Sequence, residues 1–154
     1  YRRRGNLDSI AAKGVELDAR YESGRWTLSA GWSWTDARVE ASGPASALDG
    51  LRPAQTPRHA ASSTLAWAKG GARASLTARY TGAQFEDDLN RQRLPGAFTL
   101  DAAGLIPLGR RLAIEARAEN MLDAPMLAAI TGDGIEERAT PRTLWIGLRW
   151  GGLR

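Results

Sequence analysis

The chain has 154 residues, of which 43% are hydrophobic, and this combination predicts one folded domain rather than a disordered segment. It contains no cysteine, which excludes disulfides and cysteine-ligated metals, and it has no run of about 18 apolar residues that could form a membrane-spanning helix. The net charge is +4, but the arginines are scattered, often beside acidic residues, and this pattern argues against a nucleic-acid partner.

Alternation of apolar and polar residues with a period of two is the main signal along the chain. Because successive side chains of a strand point to opposite faces, each alternating segment predicts a strand with one apolar and one polar face. The segment 26–35 is the clearest, with tryptophan, leucine and alanine alternating with threonine, serine and glycine. The predicted strands, in chain order, are 15–22, 26–35, 61–67, 72–81, 98–106, 112–119 and 143–150.

The connections between these strands alternate strictly between short and long. The short ones, each with the glycine that a hairpin turn favours, are 22–25, 69–71 and 108–111. The long ones are approximately 38–58, 82–95 and 123–141. In an up-and-down meander this order puts all short turns at one end and all long loops at the other, which is typical of outer-membrane barrels.

The large aromatic residues are predicted to form two belts on the apolar face, as at the two interfaces of a membrane barrel. Trp26 and Trp34 share this face and are separated by roughly 26 Å along the strand, or about 20 Å along the membrane normal after tilting. The predicted belt at the short-turn end contains Tyr21, Trp26, Trp67 and Trp150. The predicted belt at the long-loop end contains Trp34, Tyr80 and Phe98.

These observations predict an all-β protein, an antiparallel up-and-down transmembrane β-barrel. The alternative is a soluble β-sandwich or small barrel that acts as a binding module, with the apolar face turned into a core. Several predicted strands are about eight to ten residues long, which favours the membrane barrel because strands of soluble proteins are typically about five or six residues long.

Three stretches carry a resemblance to a known family. They are Ala11 to Asp18, with a Gly and a Glu before a strand; Leu112 to Pro125, with an Asn-Met-Leu-Asp segment; and Thr140 to Trp150, a last strand introduced by a Pro-Arg pair. In order and spacing the chain resembles the TonB-dependent outer-membrane receptors. It departs from their usual ending, because four residues follow Trp150 where the family has a terminal aromatic residue.

The resemblance covers nearly the whole chain and implies that residues 1–154 are the C-terminal part of the barrel domain. They would form roughly the last seven strands of a barrel of about 22, with the plug domain absent. The implied function is energised uptake of a scarce nutrient, most often a ferric siderophore, at the bacterial outer membrane. A passive porin-like or small independent barrel is the alternative.

The implied partners are outer-membrane lipid, the plug domain and remaining strands of the same protein, the TonB complex, the barrel assembly machinery and a small-molecule ligand. The final strand, which that machinery would recognise, places on its apolar face Leu144, Ile146, Leu148 and Trp150. The charged polar face would meet the plug through Glu16, Arg20, Arg73, Arg79, Asp101, Glu115, Arg117 and Glu119.

The sequence predicts no enzyme and no cofactor, because it has no phosphate-binding glycine loop, nucleophile elbow or paired carboxylates. His59 is the single histidine and is predicted to begin a strand, so a multi-histidine metal site is excluded. Two acidic groups in the long loops carry the oxygen ligands that a cation needs, but solvated loop residues explain them better. These groups are Glu86, Asp87 and Asp88, and Asp133, Glu136 and Glu137.

Overall fold

A computed structural model describes residues 9–151 of the chain. Eleven strands and one short 3-10 helix, Gly43–Leu48, are present in this part. The long strands are β1 Ser9–Ser23, β2 Trp26–Glu40, β3 His59–Lys69, β4 Ala72–Thr81, β7 Ala97–Pro107, β8 Leu112–Glu119 and β11 Thr143–Trp150. The short strands are β5 Gln84–Phe85, β6 Arg93–Leu94, β9 Leu127–Ile130 and β10 Glu136–Arg138.

The seven long strands form one sheet in the order β1-β2-β3-β4-β7-β8-β11, and every pair of neighbours is antiparallel. This is an up-and-down meander, as predicted. The short turns 24–25, 70–71 and 108–111 lie at one end of the sheet, which we call the turn end. The connections 41–58 (loop 1), 82–96 (loop 2) and 120–142 (loop 3) lie at the other, the loop end.

The strand register places the apolar side chains of all seven long strands on the same face of the sheet. Residues paired directly across two antiparallel strands point to the same side of the sheet. One row of such pairs crosses the whole sheet, with one residue on each long strand: Tyr21, Leu28, Leu65, Leu76, Ala102, Ala118 and Leu144. The opposite face carries the polar half of each predicted strand.

The apolar face of this sheet lies on the surface. Among the described residues only Ala37, Val39, Leu94 and Ala113 are buried apolar residues, whereas 23 large hydrophobic residues are exposed. Ile146 is 86% exposed. The described part of the chain is therefore a single layer whose apolar side is uncovered, and an apolar surface of this extent marks contact with a membrane or another protein.

The glycines of the first two short turns have the backbone geometry that tight hairpins require. Gly70 and Gly71 both have positive φ, at 58° and 85°, as a type I′ turn needs. Gly24 has φ of 59°, while Arg25 is not among the residues with positive φ, which fits a type II′ turn with glycine first. The predicted turn positions are therefore confirmed.

The structure corrects the start of the first predicted loop. Loop 1 was predicted to begin at Arg38, but β2 continues to Glu40. Beyond Trp34 the pattern inverts: Ala37 and Val39, on the polar-face side, are buried, and the Val39 amide donates to the carbonyl of Leu51 in loop 1. The predicted strand ends too early because the prediction required the same face to stay apolar along the whole strand.

Loops 2 and 3 are more ordered than predicted. Each contains a small hairpin, β5 with β6 in loop 2 and β9 with β10 in loop 3. These strands are two to four residues long. Alternation needs about four residues to be recognised, so hairpins of this size leave little pattern in a sequence.

Candidate functional site

The seven predicted aromatic residues all lie on the apolar face, and six of them are near an end of their strand, whereas Trp34 lies in the middle of β2. Trp26 and Trp67 are paired across β2 and β3 at the turn end, with ring centroids 6.5 Å apart. Tyr80 and Phe98 are paired across β4 and β7 at the loop end. Tyr21, Trp26, Tyr80, Phe98 and Trp150 are exposed, and Trp34 and Trp67 are half-buried. Their contact with lipid stays a prediction.

The apolar residues of the last strand are among the most exposed of the described chain. Leu144, Ile146, Leu148 and Trp150 lie on one face of β11, and each is more than 70% exposed. β11 pairs on one side with β8 and is an edge of the described sheet. Trp145 points to the opposite face, where it is paired with Arg117. It is the one tryptophan on the polar face.

Polar-face residues line two hollows. A hollow of about 380 Å³ at the turn end is lined by residues of six long strands, from Thr27 on β2 to Arg149 on β11. A second hollow, of about 530 Å³, lies between this face and loop 3 and is lined by Arg79, Asp101 and Met126, among others. Both hollows are therefore lined by the face that would line the lumen of a closed barrel.

Charged residues on the polar face are partly paired with one another. Arg79 forms an ion pair with Asp101, and Arg149 donates to Glu115 at 2.7 Å. Arg117 lies between the two hollows and has no ion-pair partner among the described residues. The charged positions predicted for this face all occupy it. Half-exposed pairs of this kind contribute little to stability, so their arrangement bears mainly on what the lumen can hold.

Asn120, in the Asn-Met-Leu-Asp segment, is the one buried polar residue of the described chain. Its side-chain amide donates to the carbonyls of Ala124 at 3.1 Å and Thr140 at 3.4 Å, and its Oδ1 accepts the Ala124 amide at 2.9 Å. Its own amide donates to Asp101 Oδ1 at 2.9 Å. Asn120 therefore joins β7, β8 and both ends of loop 3.

Asp123 completes this arrangement. Its carboxylate accepts the backbone amide of Arg142 at 3.0 Å, so the segment holds the residue just before β11. Asn120 and Asp123 have φ of 47° and 52°, a left-handed conformation that asparagine and aspartate tolerate better than other non-glycine residues. The hydrogen bonds and the positive φ therefore explain why asparagine and aspartate occupy these two positions, which the family resemblance did not explain.

Gly14, in the first resembling stretch, is explained by close approach of two strands. A Cβ at this position would lie 2.5 Å from the carbonyl oxygen of Trp34, which is a backbone atom that cannot move aside cheaply. Gly14 is paired with Thr35 on β2. Glycine is therefore required here by contact between the strands.

The three loops are joined by side-chain hydrogen bonds into one structure, the loop cluster, defined as residues 41–58, 82–96 and 120–142. Asn90 of loop 2 donates to the carbonyl of Arg52 at 2.8 Å and accepts its amide at 2.9 Å. Gln92 of loop 2 donates to the carbonyl of Thr131 in loop 3 at 3.0 Å. Sequence reasoning missed these links, since they join residues 38 and 39 positions apart.

Three of the six loop acids that are candidate cation ligands, Glu86, Asp87 and Asp133, form hydrogen bonds within the loops. Asp87 accepts the amides of Arg91 and Gln92, and Glu86 accepts from the Gln55 side chain. The hydroxyl of Thr131 donates to Asp133 and holds the pKa of that carboxyl below its usual value. In residues 9–151 no group of three or more histidine or acidic side chains is placed to hold a metal ion.

No helix within residues 9–151 has the length and apolar character needed to cross a membrane. A seven-stranded antiparallel meander with an uncovered apolar face, a polar opposite face and long loops at one end has the architecture of the wall of a transmembrane β-barrel. The sequence profile of the family described as TonB dependent receptor-like, beta-barrel matches residues 3–121. The chain belongs to this family.

Solved structures with the same fold agree with this assignment. The siderophore receptor PiuA from Acinetobacter baumannii superposes with a TM-score of 0.81 at 17% identity, over 92% of this chain and 22% of PiuA. The ferric yersiniabactin uptake receptor FyuA from Yersinia pestis gives 0.80 at 20% identity, over 92% of this chain and 23% of FyuA. The ferric citrate transporter FecA gives 0.78 at 18% identity, over 91% and 24%.

The chain thus spans about a fifth to a quarter of the length of these receptors. No curated protein sequence matches it. At these identities the likeness shows the fold alone.

Proposed function

We propose that this chain forms the C-terminal part of the barrel wall of a bacterial outer-membrane receptor that takes up a scarce nutrient with energy supplied through TonB. The observation that carries the proposal is the single-layer sheet with an uncovered apolar face, in a chain that belongs to this receptor family. A soluble binding module would need a second layer over that face, because so large an apolar surface is unstable in water.

The proposed substrate class is a ferric siderophore. Support comes from the structures of similar fold, of which PiuA is a siderophore receptor and FyuA a ferric yersiniabactin uptake receptor. In this proposal the loop cluster captures the ligand outside the cell. A plug domain held within the lumen then rearranges when the TonB complex acts on it. We propose a role in transport and not in catalysis.

The two faces of the sheet have separate roles in this proposal. The apolar face, with its two aromatic belts, contacts outer-membrane lipid, and the edges of the sheet pair with the remaining strands of the barrel. The polar face and its two hollows contact the plug. The barrel assembly machinery recognises the last strand, in which Leu144 and Ile146 are exposed.

The experiment that tests the function is uptake of radioactive ferric siderophores by iron-starved cells. A strain that lacks the gene is complemented with the full-length gene, and a protonophore is added to half of each culture. Energised uptake predicts that the gene restores accumulation of at least one siderophore and that the protonophore abolishes it. Accumulation that survives the protonophore would instead indicate a passive pore, and no gene-dependent accumulation would contradict the siderophore assignment.

A variant separates ligand capture from assembly. Replacing residues 84–94 of loop 2 with a glycine-serine segment of equal length removes β5, β6 and the Asn90 link. We expect normal recovery in the outer-membrane fraction but loss of siderophore binding to whole cells. The matched control replaces residues 108–111 of the third short turn in the same way, and it should leave binding unchanged.

A further inference from the structure

On the apolar face of β2, the side chains change from apolar to charged near the loop end. From Trp26 to Trp34 it is apolar, but the next residues on the same face are Asp36 and Arg38. At about 3.4 Å per residue, they lie about 7 and 14 Å beyond Trp34 along the strand. β2 therefore continues past the apolar face and carries charged side chains directly above it.

Two arginines share one carboxylate at this position. The Nη2 of Arg58 lies 3.1 Å from Asp36 Oδ1, and the Nε of Arg38 lies 3.4 Å from the same oxygen. The side chain of Asp36 is 21% exposed, while those of the two arginines are more than 40% exposed. Each guanidinium has five N–H donors, so both keep donors that face solvent.

A third arginine adds to the positive charge. Arg52 lies over the ring of Phe85, 5.5 Å from its centroid, and donates to the carbonyl of Thr56. Its pKa is lowered, first by partial burial and then by the positive charges of Arg58 and Arg38, with Asp36 acting in the opposite direction. Among the described residues, Asp36 is the one acid within ion-pair distance of this cluster.

The cluster borders an aromatic layer. The ring of His59 stacks on that of Trp32, with centroids 5.9 Å apart, and His59 is paired with Trp34 across β2 and β3. Aromatic side chains of this kind lie at the headgroup level of a bilayer. If the apolar face contacts lipid, the three arginines lie at the level of the lipid phosphates.

We propose that Arg38, Arg52 and Arg58 bind the phosphate of an anionic lipid headgroup in the outer leaflet. This inference rests on the membrane placement in the proposed function. Guanidinium groups suit phosphate because their paired N–H donors match its oxygens, and the phosphate supplies the negative charge that Asp36 alone does not. The bound lipid would also fix the outer ends of β2 and β3 relative to the bilayer.

The test measures which lipids the full-length protein retains. The protein is placed in nanodiscs of phosphatidylcholine with a minor fraction of phosphatidylglycerol, and the lipids that stay bound after detergent release are counted by native mass spectrometry. The wild type should enrich phosphatidylglycerol over its share in the bilayer. Arg38→Gln and Arg58→Gln should each lower that enrichment about fivefold, which is the effect of one charge near a membrane surface.

Two further variants distinguish binding from a structural role. Asp36→Asn removes the competing carboxylate, so it should raise the enrichment, whereas mere loss of an ion pair would not. Arg20→Gln is the matched control, because Arg20 is an exposed arginine on the polar face, paired with Glu22. It should leave the enrichment unchanged.

Unchanged enrichment in both arginine variants would overturn the inference. Inorganic phosphate is the second probe: arginine-dependent binding of free phosphate without lipid retention would indicate a free-anion site and would also overturn it. Brominated acyl chains test the membrane placement separately, through quenching of tryptophan fluorescence. Quenching without headgroup preference contradicts this inference alone, whereas absence of quenching contradicts the proposed function.

Discussion

The two ends of the sheet are held together in different ways. At the turn end, the connections are short, and in two of the three the conformation is fixed by glycines with positive φ, such as Gly70. At the loop end, the connections are 15 to 23 residues long, and their conformation is fixed by asparagine side chains that hydrogen-bond to distant backbone groups. The turn end is thus determined locally, and the loop end depends on contacts between segments far apart in the sequence.

The two ends of the sheet also differ in how they form and in what they are suited to do. Turns of two residues need no partner beyond the strands they connect, so the turn end can form as soon as a hairpin forms. The loop cluster instead requires that β2, β4 and β8 are already in place, because its links run between their connections. A surface that is ordered but built on few links is suited to ligand capture, since loops on a rigid scaffold commonly carry binding.

Of the variants considered, Asn120→Ala should lower the free energy of unfolding the most. The variant removes three side-chain hydrogen bonds at a buried position and places alanine at positive φ. We expect a loss of about 2 to 4 kcal/mol in the free energy of unfolding, because buried backbone groups lose their partners and the backbone is strained. Urea unfolding of the full-length protein in detergent micelles measures it.

Asn120→Gly is the matched control for that variant. Glycine accepts the positive φ at no steric cost, so the remaining loss reports the hydrogen bonds alone. We expect this loss to stay above about 1 kcal/mol. If Asn120→Gly proved as stable as the wild type, the hydrogen bonds of Asn120 would not hold loop 3.

A smaller, more local effect is expected from Asn90→Ala. Its two hydrogen bonds to the Arg52 backbone join loops 1 and 2, and the residue is half-buried. We expect amide hydrogen exchange to accelerate about tenfold in residues 43–58, corresponding to about 1 to 2 kcal/mol of local stability, while exchange in β3 and β4 stays unchanged. The neighbouring Asp88→Ala, which removes no side-chain contact, should have no effect.

The smallest effect should come from Gly70→Ala at the turn end. Nothing lies near the added methyl group, so the cost is the backbone strain of alanine at φ of 58°, about 1 kcal/mol. Gly109→Ala in another short turn lacks the positive φ and should be neutral or slightly stabilising. Equal melting temperatures for the two variants would show that turn geometry does not limit stability at this end.

Several elements could be predicted from the sequence because their signals are local. The bounds of β4, β8 and β11 agree with the predicted segments 72–81, 112–119 and 143–150. The end of β2 could not be predicted, since Val39 is buried by loop 1 and not by the pattern of its own strand. The three arginines around Asp36 were missed for the same reason, because they come from β2, loop 1 and the residue before β3.

The sequence by itself determined which side chains share a face of the sheet and where the chain turns back. Alternation has a period of two residues and a tight turn needs two, so both are decided within a few positions. Only the tertiary structure decided how the loops join and which charges meet. Those contacts depend on the register of seven strands and on hydrogen bonds between residues nearly 40 positions apart, such as Arg52 and Asn90.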